Sequence, residues 1–461
     1  MVERAESGSA LERLQRALAS AGVEHADLYS RGLHRGFARF SLNALNQHAD
    51  TIEEMVTARV AMPTVDGFRI ASSSTDDVSH ESLVTLIHRA RDLAQRSPAV
   101  PGWPGFTRSD QPTPTPLRFA EATAQCTPAD RAKVLAPALA FARESKLTAA
   151  GVLETTVYEV AVANTAGTAR HARGSTSSFK MFALDSAGTS GFSQCTHRDF
   201  DKLDVLARAR TACEKSLAGH DPVALPPGEY DVVLEPPAVC ELLEWLSFIA
   251  LGAREVSDGT SPLAGRAGQT ITGSNITLVD DACESGELGF GIPFDRDGIV
   301  RERVVLIDHG VAREPVYDVL YGARLGHRST GHAAPPGGLD DGPVAQSVRL
   351  EGGTDTLEAL GAGVQRGLHI SRFHYVNGFL DPRRAVMTGL TRDGTFLIEN
   401  GVRTRGVRNM RFTDSAIEAF ARADGITALR EAVPTWWSEA GAFVAPAMRI
   451  RGFRFTGGGV A

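Results

Sequence analysis

The chain contains few cysteines, and their spacing excludes two common structural roles. The five cysteines are Cys126, Cys195, Cys213, Cys240 and Cys283, and no two of them form a C-x-x-C pair. An odd number of scattered cysteines argues against a disulfide framework and against a zinc ribbon. We therefore expect reduced, mostly buried thiols in a cytoplasmic protein.

Long apolar runs and clusters of basic residues are also missing. The strongest apolar stretches, such as Val134–Ala142, are too short to span a bilayer, and the N-terminal segment lacks the apolar core of a signal peptide. The net charge is -7, with 43% hydrophobic and 22% charged residues. This composition is typical of globular proteins, and we expect neither a membrane nor nucleic acid as a direct partner.

Several catalytic motifs are absent as well. The chain has no G-x-S-x-G nucleophile elbow and no Walker loop. His80 and His88 are eight residues apart, which is too far along a helix for the two side chains to share a metal. The segment from Asp295 to Gly298 lacks the later ligands of an EF-hand loop, so a hairpin turn is the better interpretation.

The N-terminal half repeats one order of elements, a helix followed by strands and a second helix. Apolar spacing predicts helices at Ala10–Ala21, Ser79–Gln95 (with Ser79 as N-cap), Pro128–Ser145 and Asp201–Ala218. Strand-like patterns predict these eight strands: Ala26–Gly32, Gly36–Leu42, Glu54–Met62, Gly67–Ser72, Ala149–Tyr158, Val160–Asn164, Thr168–Ser178 and Met181–Cys195. This order suggests a duplicated α+β module or one domain in two lobes.

Proline-rich segments suggest the boundaries. We expect an N-terminal α+β domain at 1–222, with lobes 1–97 and 117–222 joined by an extended linker at 98–116. A C-terminal β-rich domain follows at 223–461, so the predicted fold class is α+β. Within it, Ala385–Glu399 predicts two strands around a tight turn at Asp393-Gly394, and the composition of Gly326–Pro343 predicts a mobile loop.

A helix follows the first strand of this C-terminal domain. The apolar segment Tyr230–Leu234 predicts the strand, and Pro236–Gly252 predicts the helix. Its packing face is formed by residues at helical spacing, namely Leu242, Leu243, Leu246, Ile249 and Ala250.

Two further segments carry a family resemblance. The stretch Gly367–Phe412, above all Thr391–Gly401, resembles the C-terminal signature of the TldD/PmbA family, also called the modulator of DNA gyrase family. The segment Gly259–Leu263 resembles the family's sequence after the central helix. The similarity covers nearly all of the chain, and the combination of segments is specific.

The resemblance implies a cytoplasmic metallopeptidase of two subunit types that acts on small or unfolded peptides. One type, TldD, carries a zinc-binding H-E-x-x-x-H motif on the central helix and a further Cys ligand near its C-terminus. The other type, PmbA or TldE, lacks these ligands. The family's two histidine positions correspond here to Glu244 and Ile249, the glutamate position corresponds to Trp245, and no cysteine follows Cys283.

These degenerate metal-site positions predict a TldE-like subunit with no catalytic residues and no metal of its own. Zinc is expected in a TldD-type partner subunit, and a dimer or higher oligomer is expected. We also expect contacts with a peptide substrate from two polar segments, at Arg372, His374, Tyr375 and Asn377 and at His327 and His332.

Two other interpretations stay open at this stage. The chain could be a homo-oligomeric peptide-binding or carrier protein without peptidase activity. It could also be an independent hydrolase that uses Glu244 together with a nearby histidine. A neighbouring gene that encodes H-E-x-x-x-H would favour the two-subunit peptidase.

Overall fold

A computed structural model of the chain describes residues 9–114, 118–284, 286–336, 342–434 and 441–458. Residues 337–341 of the predicted glycine-rich loop lie outside this set, as do parts of both predicted domain ranges. No helix among the described residues is long and apolar enough to cross a membrane.

In the described residues of the N-terminal half, seven strands form one antiparallel sheet. Its strands are β1 Ala26–Ser41, β2 Ala44–Thr64, β3 Gly67–Thr75, β4 Ala99–Val100, β5 Thr148–Asn164, β6 Ala169–Leu184 and β7 Ser190–His197. They follow the order β4-β3-β2-β1-β5-β6-β7, so β1 and β5, the first strands of the two repeated sets, pair at the centre.

The helices of this half are α1 Ala10–Ala21, α2 His80–Ala94, α3 Glu121–Ala124, α4 Pro128–Glu144 and α5 Val205–Ala218. The predicted bounds of α1 are confirmed, because a capping box of Ser9 and Glu12 starts the helix and Gly22, with a φ of 61°, ends it. Ser79 caps α2 as predicted, by accepting a hydrogen bond from the backbone N–H of Ser82.

The longer helices of this half cover one face of the sheet. Even-numbered residues of β1, such as Leu28 and Phe40, pack with α1 and α2 at one end and with α4 and α5 at the other. Because side chains alternate along a strand, odd-numbered residues of β1 point to the opposite face. There Tyr29 packs with Phe294 of the C-terminal half. The second face of the sheet therefore meets the rest of the chain.

The described part of the C-terminal half contains a sheet of eleven strands. They are β8 Gly228–Leu234, β9 Leu278–Asp280, β10 Val304–Asp308, β11 Val311–Ala312, β12 Val348–Leu350, β13 Arg366–Asp381, β14 Val386–Glu399, β15 Val402–Gly406, β16 Met410–Ser415, β17 Ala423–Pro434 and β18 Ala442–Gly458. Its helices are α6 Pro236–Ile249, α7 Ala253–Ser257, α8 Val319–Leu325, α9 Leu357–Ala362 and α10 Ala416–Ala421. The predicted strand Tyr230–Leu234 lies within β8, and the predicted helix that follows ends three residues early, as α6.

Five strands of the larger sheet close on themselves. β18 pairs with β16, β16 with β14, β14 with β13, β13 with β8, and β8 again with β18. The resulting barrel is filled by side chains such as Leu368, Phe373, Phe412 and Phe453, all at most 1% exposed. Helix α6 packs against β13 and β18, so the barrel fixes its position.

Some predicted strand breaks are wrong. β1 runs through Gly32 and Gly36, where the sequence suggested two strands. Gly36 is explained by a close approach rather than a turn, because an added Cβ would lie 2.2 Å from Nη1 of Arg131 and 2.5 Å from Oδ1 of Asp50. In the same way β5 is one strand where two were predicted, and a turn after Leu184 separates β6 from β7.

The predicted hairpin at Asp393-Gly394 is also wrong. β14 is one strand, in which Asp393 (φ 51°) and Gly394 (φ 128°) form an irregularity instead of a reversal. The carboxylate of Asp393 accepts hydrogen bonds from Arg372 and Ser190. These bonds hold a bulge at this point, and a bulge re-aims a side chain without ending the strand.

The described part of the proline-rich segment lies against the first sheet. β4 pairs with β3, and Trp103, 6% exposed, packs edge-on against Phe68 and Phe106. Arg324 of α8 donates to the carbonyl of Pro101. The division of the chain into domains and lobes stays a prediction.

Candidate functional site

Helix α6 begins at a half-buried carboxylate that accepts three hydrogen bonds. Glu235, the residue before the helix, accepts hydrogen bonds from Lys215 Nζ (2.6 Å), His369 Nε2 (2.7 Å) and Ser371 Oγ (3.2 Å). Burial alone would raise the pKa of Glu235, but the charges and hydrogen bonds of Lys215 and His369 outweigh it and hold this pKa well below its usual range. The negative charge also suits the N-terminal end of the helix dipole. These hydrogen bonds join the start of α6 to Lys215 of the N-terminal half and to β13 of the C-terminal half.

The three degenerate metal-site positions on α6 point in three directions. Glu244 is 6% exposed and lines a cavity. Trp245 packs edge-on against Phe379, 5.2 Å between ring centroids, at the surface of the helix. Ile249 is 3% exposed and belongs to the core of the C-terminal half. The helix therefore does not direct these three side chains toward one point.

The cavity beside Glu244 has a volume of about 240 Å³ and lies between the two sheets. One wall is a face of α6, formed by residues at i, i+3, i+4 and i+7, namely Pro237, Cys240, Glu241 and Glu244. The remaining described lining residues come from five strands and are Lys180, Phe182, Phe192, Gln194, Arg372, Phe373, Val433, Pro434 and Phe443.

The opposite wall is a patch on the second face of the N-terminal sheet. Lys180 on β6 lies directly opposite Gln194 on β7, and Phe182 lies opposite Phe192. Because strand residues two apart share a face, these four side chains form one surface. Their neighbour Met181 points the other way, into the core beneath α4 and α5. In this part of β6, alternate residues therefore face the cavity and the core beneath α4 and α5.

Burial perturbs the charged groups of this cavity. It raises the pKa of Glu241 to about 7, although the nearby charges of Arg372 and Lys180 act in the opposite direction. Burial also lowers the pKa of Lys180, against the attraction of Glu154 and Glu244. Such shifts are enriched at functional sites, although structural charge networks can also produce them.

Arg372, one of the predicted peptide-contact residues, forms part of this cavity. Its guanidinium donates to Asp393 through Nε (2.8 Å) and Nη2. Its Cζ lies 5.1 Å from the ring centroids of both Phe182 and Phe192. Arg372 is therefore held in place by an ion pair and by two aromatic rings.

The other predicted residues near Arg372 lie further along β13. His374 is half-buried, and burial lowers its pKa. Tyr375 is 81% exposed with a φ of 54°, and Asn377 is exposed, with its side-chain oxygen accepting the backbone N–H of Phe379. These residues form a surface segment next to Trp245, because Gly378 packs on its ring.

The two histidines of the glycine-rich loop have different environments. His327 is exposed and stacks on Tyr317, 4.6 Å between ring centroids. His332 is completely buried, and its Nε2 lies 3.0 Å from Oδ1 of Asp280. His332 thus anchors the described part of the loop and has no surface to offer a peptide.

Sequence reasoning missed three polar residues of the cavity, Lys180, Gln194 and Glu241. The sequence carries a weak signal for Lys180, a charged residue between two apolar neighbours in a strand whose alternate residues are buried. Helical spacing places Glu241 on the same face as Glu244. Nothing in the local pattern indicates that strands β6 and β7 meet α6.

These residues do not fit a catalytic zinc site. Zinc in peptidases needs three protein ligands and an open position, whereas Ile249 lies in the core and Trp245 in an aromatic contact. Among the residues that the structure describes, no group of three or more His, Cys, Asp or Glu side chains is arranged to hold a metal ion. The ammonium of Lys180 and the guanidinium of Arg372 add positive charge where a dication would bind.

Comparison with known proteins decides the family. A family model described as the PmbA/TldA metallopeptidase C-terminal domain matches residues 227–457, half of the chain. The chain belongs to the TldD/PmbA family. The predicted resemblance is therefore confirmed, and with it the relation to metallopeptidases.

Curated relatives match over shorter lengths. An uncharacterized protein of Methanocaldococcus jannaschii is 31% identical over 138 residues, 30% of this chain and 32% of the relative. A metalloprotease of Methanothermobacter thermautotrophicus is 22% identical over 242 residues, 52% of this chain and 50% of the relative. The chain thus spans between a third and a half of the length of these relatives.

Solved structures share the fold over almost the whole chain. TldE from Thermococcus kodakarensis has a TM-score of 0.86 at 19% identity, covering 97% of this chain and 100% of that structure. A candidate modulator of DNA gyrase from Thermotoga maritima has a TM-score of 0.81 at 17% identity, with the same coverage. A protein described in the same words from Bacteroides thetaiotaomicron has a TM-score of 0.79 at 19% identity, covering 97% of this chain and 98% of that structure. The predicted α+β fold of this TldD/PmbA family member is confirmed.

Proposed function

We propose that this TldD/PmbA family member is a noncatalytic, TldE-like subunit of a cytoplasmic, heteromeric zinc metallopeptidase that acts on small or unfolded peptides. The observation that carries the proposal is the arrangement on α6. The positions at which the family resemblance implies zinc ligands and a general base hold Glu244, Trp245 and Ile249, which face a cavity, an aromatic contact and the core. Of these three side chains only the carboxylate of Glu244 is a zinc ligand type, whereas a peptidase zinc needs three protein ligands.

The electrostatics of the cavity support the same proposal. Glu244 is the one carboxylate among the three positions, and a peptidase zinc needs three protein ligands and a general base. Lys180 lines the same cavity from the opposite wall, and Arg372 lines it from β13. In this proposal zinc and the general base come from a TldD-type partner, and this chain completes the substrate chamber.

The alternative of an independent hydrolase has little support. It would need a histidine near Glu244 to act with the carboxylate. The described residues that line the cavity include no histidine. His369, which lies nearby, is engaged with Glu235 at the start of α6.

The surface segment of β13 supports a role in holding peptide. Tyr375 and Asn377 are exposed beside Trp245, and Arg372 connects this segment to the cavity. Extended peptides bind to exposed strands through backbone hydrogen bonds, which suits substrates of varied sequence. We retain Arg372, His374, Tyr375, Asn377 and His327 as proposed contacts and omit the buried His332.

The test is to purify the chain alone and together with a TldD-type protein encoded nearby. Subunit composition, zinc content and cleavage of an unfolded peptide are measured for both samples. The proposal predicts a mixed oligomer in which zinc and cleavage require the partner. A partner variant without its zinc-binding histidines, mixed with this chain, is the control and should be inactive. Cleavage and stoichiometric zinc in the lone chain would refute the proposal.

A second candidate function is a homo-oligomeric peptide-binding or carrier protein without peptidase activity. The cavity of about 240 Å³ favours it, because a single chain supplies all of its described walls. The same purification separates the two candidates. A stable oligomer of this chain alone that does not associate with the TldD-type protein would favour the carrier.

A further inference from the structure

The cavity at α6 presents three polar groups that lack partners among the described residues. Gln194 is 4% exposed, and its Nε2 is buried without a hydrogen-bond acceptor. The ammonium of Lys180 and the carboxylate of Glu241 make no hydrogen bond and no ion pair with any described residue. Native interiors rarely leave a buried donor such as Gln194 Nε2 unsatisfied, so this amide needs an explanation. Lys180 and Glu241 are half-buried charges that line the same cavity.

These three groups lie on opposite walls. Lys180 and Gln194 are cross-strand neighbours on the sheet, so a positive charge and an amide donor stand side by side. Glu241 faces them from α6, one helical turn before Glu244. The charges of Lys180 and Glu241 are close enough to influence each other, yet no contact joins them. The space between them is therefore bounded by a cation at one end and an anion at the other.

The other walls are apolar and aromatic. Phe182 and Phe192 lie on the same face of the sheet as Lys180, and Phe373 and Phe443 also line the cavity. Ligand sites of proteins typically combine such apolar walls with a few polar groups that fix orientation. The cavity has the size of a small molecule rather than of a folded segment.

We propose that this cavity binds a small zwitterion with an apolar side chain, such as a free amino acid or a dipeptide. The carboxylate of the ligand is received by Lys180 and Gln194, its ammonium by Glu241, and its side chain by the aromatic walls. This binding site rests on the proposed function in one respect only, namely that α6 holds no metal. The ligand class matches the products of a peptidase.

Charge balance selects this class over its alternatives. A simple anion would pair with Lys180 but bring a further negative charge toward Glu241 and Glu244. A simple cation would pair with Glu241 and oppose Lys180 and Arg372. A zwitterion satisfies both ends and leaves the net charge of the cavity unchanged. Water alone is the remaining alternative, since a buried water needs only about 10–15 Å³.

The test is calorimetric titration of the purified full-length chain with L-phenylalanine and three capped analogues. N-acetyl-L-phenylalanine lacks the ammonium, L-phenylalanine amide lacks the carboxylate, and N-acetyl-L-phenylalanine amide lacks both. Titration at pH 8 keeps Glu241 ionised, because its pKa is raised to about 7 by burial. We expect each single cap to weaken binding by about tenfold or more, as for the loss of one charged hydrogen bond.

Two variants distinguish this site from nonspecific binding. Glu241→Gln should abolish the preference for phenylalanine over its N-acetyl analogue, and Lys180→Met should abolish the preference over the amide. Glu214→Gln and Lys133→Met, at exposed positions on α5 and α4, are matched controls and should retain both preferences. Equal affinity for the zwitterion and the doubly capped analogue, or no binding of any of the four compounds, would overturn the proposal and leave a water-filled cavity.

The outcome is independent of the partner experiment. Titration uses the chain alone, so failure to bind phenylalanine would leave the proposed peptidase subunit intact. Conversely, a failure to associate with a TldD-type protein would not affect the binding preferences of the cavity.

Discussion

Glu241 should make the stability of this chain depend on pH in a way that one substitution removes. Its pKa is raised from an ordinary 4.5 to about 7, chiefly by burial, while Arg372 and Lys180 partly offset this effect. Since the folded state holds the proton more tightly than the unfolded state, ionisation of Glu241 destabilises the fold. The destabilisation is absent below pH 4.5, grows between 4.5 and 7, and is complete above 7.

The magnitude follows from the two pKa values. A tenfold change in an ionisation constant corresponds to about 1.4 kcal/mol, so a pKa of about 7 in place of 4.5 costs up to about 3 kcal/mol above pH 7. Because the Glu241 side chain is not completely buried, this value is an upper bound. Glutamine at this position has almost the same shape and no charge. Glu241→Gln therefore removes the part of the unfolding free energy that depends on the ionisation of Glu241.

The assay is denaturant unfolding of the parent chain and Glu241→Gln at several values between pH 5 and pH 8. The decisive quantity is the difference in unfolding free energy between the two proteins as a function of pH. It should shift in favour of the variant by up to about 3 kcal/mol as the pH rises. The control Glu214→Gln, at an exposed position, should show a flat difference. A flat difference for Glu241→Gln as well would show that ionisation of Glu241 does not destabilise the fold.

Two further substitutions test how the site is held. Asp393→Asn should lower the unfolding free energy by about 2 kcal/mol, because Arg372 loses a charged partner, and this loss is measured by denaturant unfolding. An unchanged midpoint would contradict the role of that ion pair. Gly36→Ala should cost about 1–3 kcal/mol, since the new methyl group collides with the buried Arg131, and the melting temperature reports the loss. Gly458→Ala, where no atom lies within 4 Å, is the matched control and should be neutral.

Local patterns in the sequence predicted the elements that begin and end at capping residues. Helix α1 has its bounds as predicted because Ser9, Glu12 and Gly22 act within a few residues of each other. Strand ends were harder to predict, because glycine occurs both at turns and where another part of the chain approaches the backbone closely. Gly36 and Gly394 suggested turns, yet one accommodates Arg131 and the other belongs to a bulge.

The site was predictable only in part. The family resemblance located the positions Glu244, Trp245 and Ile249 on a helix, and the structure describes that helix. The opposite wall could not be inferred, because Lys180 and Gln194 reach the cavity through the pairing of β6 with β7 and the packing of two sheets. Tertiary contacts between distant segments leave no local pattern that a single sequence displays.

The proposed function requires that this chain keep the family's fold without the ability to hold zinc. The most direct measurement is the zinc content of the purified chain after incubation with excess zinc and removal of unbound metal. We expect no retained zinc and no peptide cleavage by the lone chain, with both appearing only when a TldD-type subunit is present. A full equivalent of zinc bound to the lone chain, together with cleavage, would overturn the proposed function.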